Sequence, residues 1–188
     1  MLDPSEHDGI AQRRVGTATI QLARPRTAVF LGLVLALVVG ACGSNAPVAR
    51  TGEPAPPIMG ATLEGKAFDL AAYRGKPLVV NFWASWCTPC REEFPMFKEK
   101  LEALGPTDGL QVVGVLYKDQ PDLARAFLDD FGATWPSIDD PDGAIAGAYR
   151  VVAPPQTYFI DKDGILRGIQ IGEVRPEDFD TQYAKIAP

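Results

Sequence analysis

Two cysteines separated by two residues lie directly after a strongly apolar stretch, and this junction constrains the fold more than any other feature. Residues 78–84 (LVVNFWA) form an apolar run of strand length, which predicts a buried β-strand. Cys87 and Cys90 follow, and a helical pattern with core spacing runs from Pro89 to about Leu104. A Cys-x-x-Cys at a helix N-terminus can cycle between dithiol and disulfide, because the positive helix end stabilises the first thiolate. The sequence therefore predicts a strand–turn–helix unit that carries a redox-active cysteine pair.

Cys-x-x-Cys also occurs in zinc sites and at haem attachment sites, and the rest of the sequence argues against both. The chain contains 3 cysteines, so no second pair completes a zinc ribbon. Arg91 follows Cys90 at the position where a haem-attachment motif has histidine. We therefore predict thiol–disulfide chemistry with neither a metal ion nor another cofactor.

The charge of the chain is unevenly distributed. The net charge is −6, and residues 1–41 contain four arginines but only three acidic residues. The remaining residues are therefore more acidic than the whole chain, and they contain no cluster of Lys and Arg. An acidic domain without a basic patch argues against nucleic acid as a partner.

The N-terminal region has the pattern of an export signal. Residues 28–41 form an unbroken apolar run behind Arg24 and Arg26, and this run is shorter than the roughly 20 residues that a membrane-spanning helix needs. Residues 39–41 are small and are followed at once by Cys42, so residues 39–42 resemble a bacterial lipoprotein signal. We predict an N-terminal extension and signal peptide over residues 1–41 and lipidation of Cys42. The alternative is an uncleaved anchor in which Cys42 has no role.

The remainder of the chain divides into a tether and one domain. Residues 42–57 are rich in proline and small polar residues, which predicts a flexible tether, and a globular domain is expected over residues 58–188. The other elements predicted in that domain are a hairpin over 60–68, a strand over 110–116, helices over 122–131, 144–149 and 176–186, and a hairpin of strands 157–160 and 165–171. This order predicts an α/β fold with one mixed sheet.

Positions around the cysteines suggest their roles. Cys87 lies at the strand–helix junction and is the candidate nucleophile, whereas Cys90 lies one turn into the helix and is the candidate resolving thiol. Glu93 is three residues beyond Cys90 on the same helix face, where a carboxylate can exchange a proton with the thiol. On charge alone, a solvated surface position is the more common place for a glutamate. Pro154 and Pro155 precede a predicted strand, and either of them is a candidate for a cis bond, with an ordinary trans turn as the alternative.

Several spaced motifs together resemble one family. Residues 81–90 (NFWASWCTPC), 92–95 (EEFP) and 155–161 (PQTYFID) are similar to the membrane-anchored thioredoxin-like reductases of cytochrome c maturation, the TlpA/ResA/CcmG group. Residues 114–119 (GVLYKD) further resemble the CcmG branch. The resemblance covers roughly residues 53–188. It implies a thioredoxin fold, in which a central mixed β-sheet is flanked by helices, with an N-terminal β-hairpin extension.

The resemblance also implies roles for individual residues. Cys87 would attack a substrate disulfide, Cys90 would resolve the mixed disulfide, and Glu93 would be a buried acid. The last of these reverses the expectation from charge alone. Pro155 would be the cis-proline that faces the cysteines. Pro154 departs from the family pattern, because relatives pair this residue's backbone with the bound peptide and proline has no N–H to donate.

The expected substrate is the disulfide of the haem-binding cysteines of apocytochrome c. Electrons would come from a polytopic membrane protein that transfers thiol reducing equivalents, and the chain would be lipid-anchored at the extracytoplasmic face of the bacterial membrane. A general extracytoplasmic reductase acting on other exported disulfide proteins is the alternative. A copper chaperone that uses the two thiolates is a third reading, although such chaperones add a histidine ligand and the only histidine here is His7.

Overall fold

Seven strands form two sheets in residues 48–188, the part of the chain that this computed structural model describes. The strands are β1 (Met59–Ala61), β2 (Ala67–Asp69), β3 (Leu78–Trp83), β4 (Gln111–Leu116), β5 (Ser137–Ile138), β6 (Gln156–Ile160) and β7 (Leu166–Ile171). β1 and β2 form an antiparallel hairpin, and the other five strands form one sheet in the order β5-β4-β3-β6-β7. β3 lies at its centre, parallel to β4 and antiparallel to β6. The predicted α/β fold with a mixed sheet and an N-terminal hairpin is confirmed.

Four α-helices flank the five-stranded sheet. They are α1 (Thr88–Asp108), α2 (Pro121–Phe131), α3 (Ala144–Tyr149) and α4 (Pro176–Tyr183), and a short 3-10 helix (Leu70–Tyr73) follows β2. α1 continues beyond the stop predicted near residue 105, with Pro106 inside its last turn. A proline removes only one backbone N–H donor, so Pro106 does not end the helix. The helix ends at Gly109, which adopts a left-handed conformation (φ 75°) and donates its N–H to the Gly105 carbonyl.

Each face of the sheet is covered by its own apolar cluster. On one face, the aromatic side chains of α1, α2 and α4 pack against β3 and β4, with Trp83, Phe94 and Phe127 in mutual contact. On the other face, α3 and the hairpin cover β3, β4 and β6. Because β3 has all six residues buried, its alternating side chains supply both clusters. The central strand is thereby held on both sides at the point where it leads into the cysteines.

Residues 49–57 pack against the domain and form what we call the N-terminal strap. Ala49 is buried, and its N–H donates to the Ala148 carbonyl at 2.9 Å. Gly52 N–H donates to the Leu166 carbonyl at 2.8 Å, beside β7. The prediction of a flexible tether up to residue 57 is therefore wrong for this stretch. Backbone groups of the strap pair with β7, and such long-range pairing leaves no mark on local composition.

The predicted signal peptide and Cys42 lie outside the described residues. Within residues 48–188, no helix combines the length and apolarity needed to cross a bilayer.

Candidate active site

The cysteine pair lies where β3 leads into α1. Cys87 is the N-cap of α1, and its Sγ accepts a hydrogen bond from the Cys90 N–H at 3.2 Å. The two sulfur atoms form a disulfide with an S–S distance of 2.05 Å. Both cysteines are buried, but Cys87 is 4% exposed and Cys90 is 0% exposed, so Cys87 is the more accessible of the two. The predicted pairing of these cysteines is confirmed, and their order of accessibility matches the roles suggested by sequence.

The loop that carries Cys87 is fixed to the loop that follows β4. Ser85 N–H donates to Asp119 Oδ2 at 2.6 Å, and the indole N–H of Trp86 donates to the Lys118 carbonyl at 3.3 Å. Tyr117 N–H donates to the Trp83 carbonyl at 2.8 Å, which continues the β3–β4 pairing to the edge of the site. The motif of residues 114–119 therefore supports the cysteine loop from the neighbouring strand.

Glu93 lies inside the protein, one turn beyond Cys90. It is 1% exposed, and its two carboxyl oxygens accept hydrogen bonds from different elements. Asn81 Nδ2, on β3, donates to Oε1 at 2.8 Å, and Val174 N–H, before α4, donates to Oε2 at 2.9 Å. The surface position expected from charge alone is wrong, and the burial implied by the family resemblance is correct. Sequence reasoning missed Val174, because no local pattern connects residues 81 positions apart.

Burial raises the pKa of Glu93 to about 8, and the nearby charge of Glu173 acts in the same direction. The hydrogen bonds from Val174 and Asn81 favour the carboxylate and oppose this shift. Desolvation is the largest contribution, so the proton is held at neutral pH but is released only slightly above it. A carboxyl group with such a pKa can both give and take a proton near neutral pH.

The peptide bond between Pro154 and Pro155 is cis, which confirms the predicted cis-proline. Pro155 is buried and directly precedes β6, whose first residue, Gln156, pairs with Phe82 near the end of β3. Pro155 therefore lies at the end of the sheet where β3 leads into the cysteine loop. Val152, two residues before Pro154, is 85% exposed at the same end.

A groove of about 400 Å³ adjoins the cysteine loop. Its apolar walls include Trp86 and Leu123, which are among the exposed large apolar side chains. Lys118, Asp119 and Asp139 also line it. In residues 48–188, no group of three His, Cys, Asp or Glu side chains is placed to hold a metal ion.

Comparison with known proteins agrees with this geometry. The AhpC/TSA family profile matches residues 51–169. The thiol-disulfide oxidoreductase ResA of Geobacillus thermodenitrificans is 31% identical over 166 residues, which are 87% of this chain and 95% of ResA. The thioredoxin-like protein YneN of Bacillus subtilis is 32% identical over 160 residues, 79% and 92% of the two chains. The crystal structure of a thiol:disulfide interchange protein of the thioredoxin family from Chlorobium tepidum matches with a TM-score of 0.64 at 28% identity, covering 73% of this chain and 97% of the other.

Proposed function

Because this chain belongs to the AhpC/TSA family and is a thiol-disulfide oxidoreductase of the thioredoxin fold, we propose that it works as an extracytoplasmic disulfide reductase. The observation that carries the proposal is the Cys87–Cys90 pair at the start of α1, with the buried Glu93 one turn further along the same helix. This arrangement supplies a nucleophile, a resolving thiol and a proton-exchanging group.

The reaction begins with the reduced pair. The Cys87 thiolate, favoured by the Cys90 N–H and the positive end of α1, attacks one sulfur of a substrate disulfide. A bond forms between Cys87 and that sulfur, the substrate disulfide breaks, and the second substrate sulfur leaves as a thiolate that takes a proton from solvent.

Cys90 then completes the exchange. Where Glu93 has released its proton, as it does near its pKa of about 8, its carboxylate takes the proton of the Cys90 thiol. The resulting Cys90 thiolate attacks Cys87 Sγ, and the first substrate sulfur leaves as a thiolate that takes a proton from solvent. The substrate has gained two electrons, and the enzyme holds the Cys87–Cys90 disulfide. Catalysis continues once an external dithiol reduces this disulfide.

The substrate we propose is the disulfide of the haem-binding cysteines in apocytochrome c, with a polytopic membrane thiol–disulfide protein as electron donor. The resemblance of residues 81–95 and 114–119 to the cytochrome c maturation reductases supports this choice. Lipidation of Cys42 would keep the domain at the outer face of the membrane, beside such a donor. A general reductase of exported proteins is the rival, and the missing N–H of Pro154 is the feature that favours it.

A trapping experiment tests both the chemistry and the substrate. In Cys90→Ser, Cys87 can attack a client but no thiol resolves the mixed disulfide, so clients stay attached and can be identified by mass spectrometry. Apocytochromes c in the trap would support the dedicated role, and a broad set of exported proteins would support the general one. Cys87→Ser is the matched control and should trap nothing. Equal trapping by both variants would contradict the assigned nucleophile.

A further inference from the structure

Asn81 is a buried amide that is hydrogen-bonded at one end only. Its Nδ2 donates to Glu93 Oε1 at 2.8 Å and to Thr157 Oγ1 at 3.0 Å. Its Oδ1 is buried and accepts no hydrogen bond from any described residue. Buried polar atoms are normally paired, so an amide with one unpaired end requires an explanation.

The two partners of Asn81 can each take part in either direction of hydrogen bonding. A threonine hydroxyl both donates and accepts, whereas a carboxyl group is an acceptor when ionised and gains a donor O–H when protonated. Both oxygens of Glu93 now face donors, namely Asn81 Nδ2 and Val174 N–H. Both hydrogen bonds of the Glu93 carboxyl are bonds that it accepts, so the present arrangement suits the carboxylate.

We propose that Asn81 is a positioning residue whose side-chain amide reverses when Glu93 takes up a proton. With Glu93 ionised, Nδ2 donates to Glu93 and Thr157. With Glu93 protonated, Oδ1 accepts from the new O–H, and the Thr157 hydroxyl donates instead of accepting. Each orientation makes two hydrogen bonds and leaves the other end of the amide unpaired. The protonation state of Glu93 therefore determines which orientation is favoured.

The groups around Glu93 do not by themselves select one orientation of the Asn81 amide. Cys90 lies one turn earlier on α1, and Glu173 in the segment before α4 disfavours the carboxylate through its charge. Among the described residues, the members of this hydrogen-bond chain on β3 and β6 are the neutral Asn81 and Thr157. The pKa of Glu93 is raised to about 8 by burial, so both protonation states are populated in the range where thiol exchange runs.

The consequence for catalysis depends on the proposed proton exchange between Cys90 and Glu93. When Cys90 transfers its proton to Glu93, Oδ1 of the reversed Asn81 amide accepts a hydrogen bond from the new Glu93 O–H. When Glu93 releases the proton again, the restored amide donates to the carboxylate. An amide that stayed fixed would stabilise only one of the two states.

Selective labelling tests the reversal in the intact oxidised protein. The chain contains two asparagines, Asn45 and Asn81, so ¹⁵N-asparagine labelling marks two side-chain amide nitrogens, each with two attached protons. As the pH falls through the titration of the Glu93 carboxyl carbon, we expect Asn81 to lose its amide-proton nuclear Overhauser contacts to Thr157, with the same midpoint as Glu93. Asn45 is the internal reference and should show no such midpoint. Contacts to Thr157 that persist across the titration would overturn the proposal, because an unreversed amide keeps its protons there whatever the charge of Glu93.

Glu93→Gln supplies a second test. A glutamine at this position cannot titrate, so the contacts of Asn81 should become independent of pH. A persistent pH response would assign the effect to a group other than Glu93 and would also overturn the proposal. Neither measurement needs a disulfide substrate, so the reductase function and the amide reversal are tested separately. An active reductase with a static Asn81 refutes only the reversal. An inactive protein with a reversing Asn81 refutes only the reductase function.

Discussion

Glu93 combines a buried position with a charge, and this combination makes the stability of the protein depend on pH. Its pKa is about 8 in the folded protein against 4.5 for an exposed glutamate. Between these values the folded state binds a proton that the unfolded state does not. The stabilisation is therefore fully present below pH 4.5 and is lost as the pH rises through about 8, at about 1.4 kcal/mol per pH unit.

The variant Glu93→Gln should remove this pH dependence, because its amide is neutral throughout. We expect the free energy of unfolding of the wild type, measured in urea, to fall relative to that of Glu93→Gln between pH 5 and pH 8. The variant should also reduce substrate more slowly, since Cys90 loses its proton acceptor. Parallel stability curves for the two proteins would contradict the raised pKa.

Gly114 is a residue whose missing side chain is required by its neighbours. It pairs with Asn81 on β3 and with Ser137 on β5, and a Cβ there would clash with Ser137 Oγ and lie 2.6 Å from Trp83 Nε1. We expect Gly114→Ala to lower the free energy of unfolding by about 1–3 kcal/mol, because the central sheet cannot give way. Gly147→Ala on α3 is the matched control. Its Cβ would meet open space, and alanine favours the helix, so stability should be unchanged or slightly higher.

At the scale of elements, sequence predicts what local patterns encode. β3 and the start of α1 follow from an apolar run, a first-turn proline and two cysteines. β5 was not predicted, because its two residues, Ser137–Ile138, are too few to show a period. The contacts that complete the site are equally hidden from local patterns: Asn81 and Thr157 lie 76 residues apart, and their hydrogen bond exists only once β3 pairs with β6.

Tyr117 connects two elements at the edge of the site. Its hydroxyl donates to the Val152 carbonyl at 2.6 Å and so ties the end of β4 to the segment before Pro155. Tyr117→Phe removes this bond, at a cost of about 0.5–1.5 kcal/mol in stability. If the segment before Pro155 binds the substrate peptide, KM for a disulfide peptide should rise while the reduction potential stays unchanged.

The matched control for this prediction is Tyr73→Phe. It makes the same chemical change in the 3-10 helix beside Phe68, on the hairpin side of the domain. KM should not respond to it. A shift in reduction potential in Tyr117→Phe, with KM unaltered, would contradict a role in peptide binding.

At the scale of the whole molecule, the N-terminal strap completes the sheet. β7 is an edge strand, and such strands expose unpaired backbone groups that favour association between molecules. The strap satisfies part of this edge, since Gly52 N–H donates to the Leu166 carbonyl and Leu166 N–H donates to the Glu53 carbonyl. On the opposite face of the sheet from α1, the buried Ala49 adds to the apolar cluster that packs under α3.

Removal of the strap should therefore weaken the whole domain without altering the chemistry of the site. A chain that begins at Ile58 loses five hydrogen bonds between strap and domain, at about 0.5–1.5 kcal/mol each. They are made through Ala49, Gly52, Glu53, Ala55 and the carbonyl of Pro56. We expect a lower urea midpoint and more self-association than in a chain that begins at Val48, with the same reduction potential. Equal midpoints would mean that the strap lies on the domain without stabilising it. A changed potential would mean that the strap acts on the cysteines through the central sheet, because none of its hydrogen bonds reaches α1 directly.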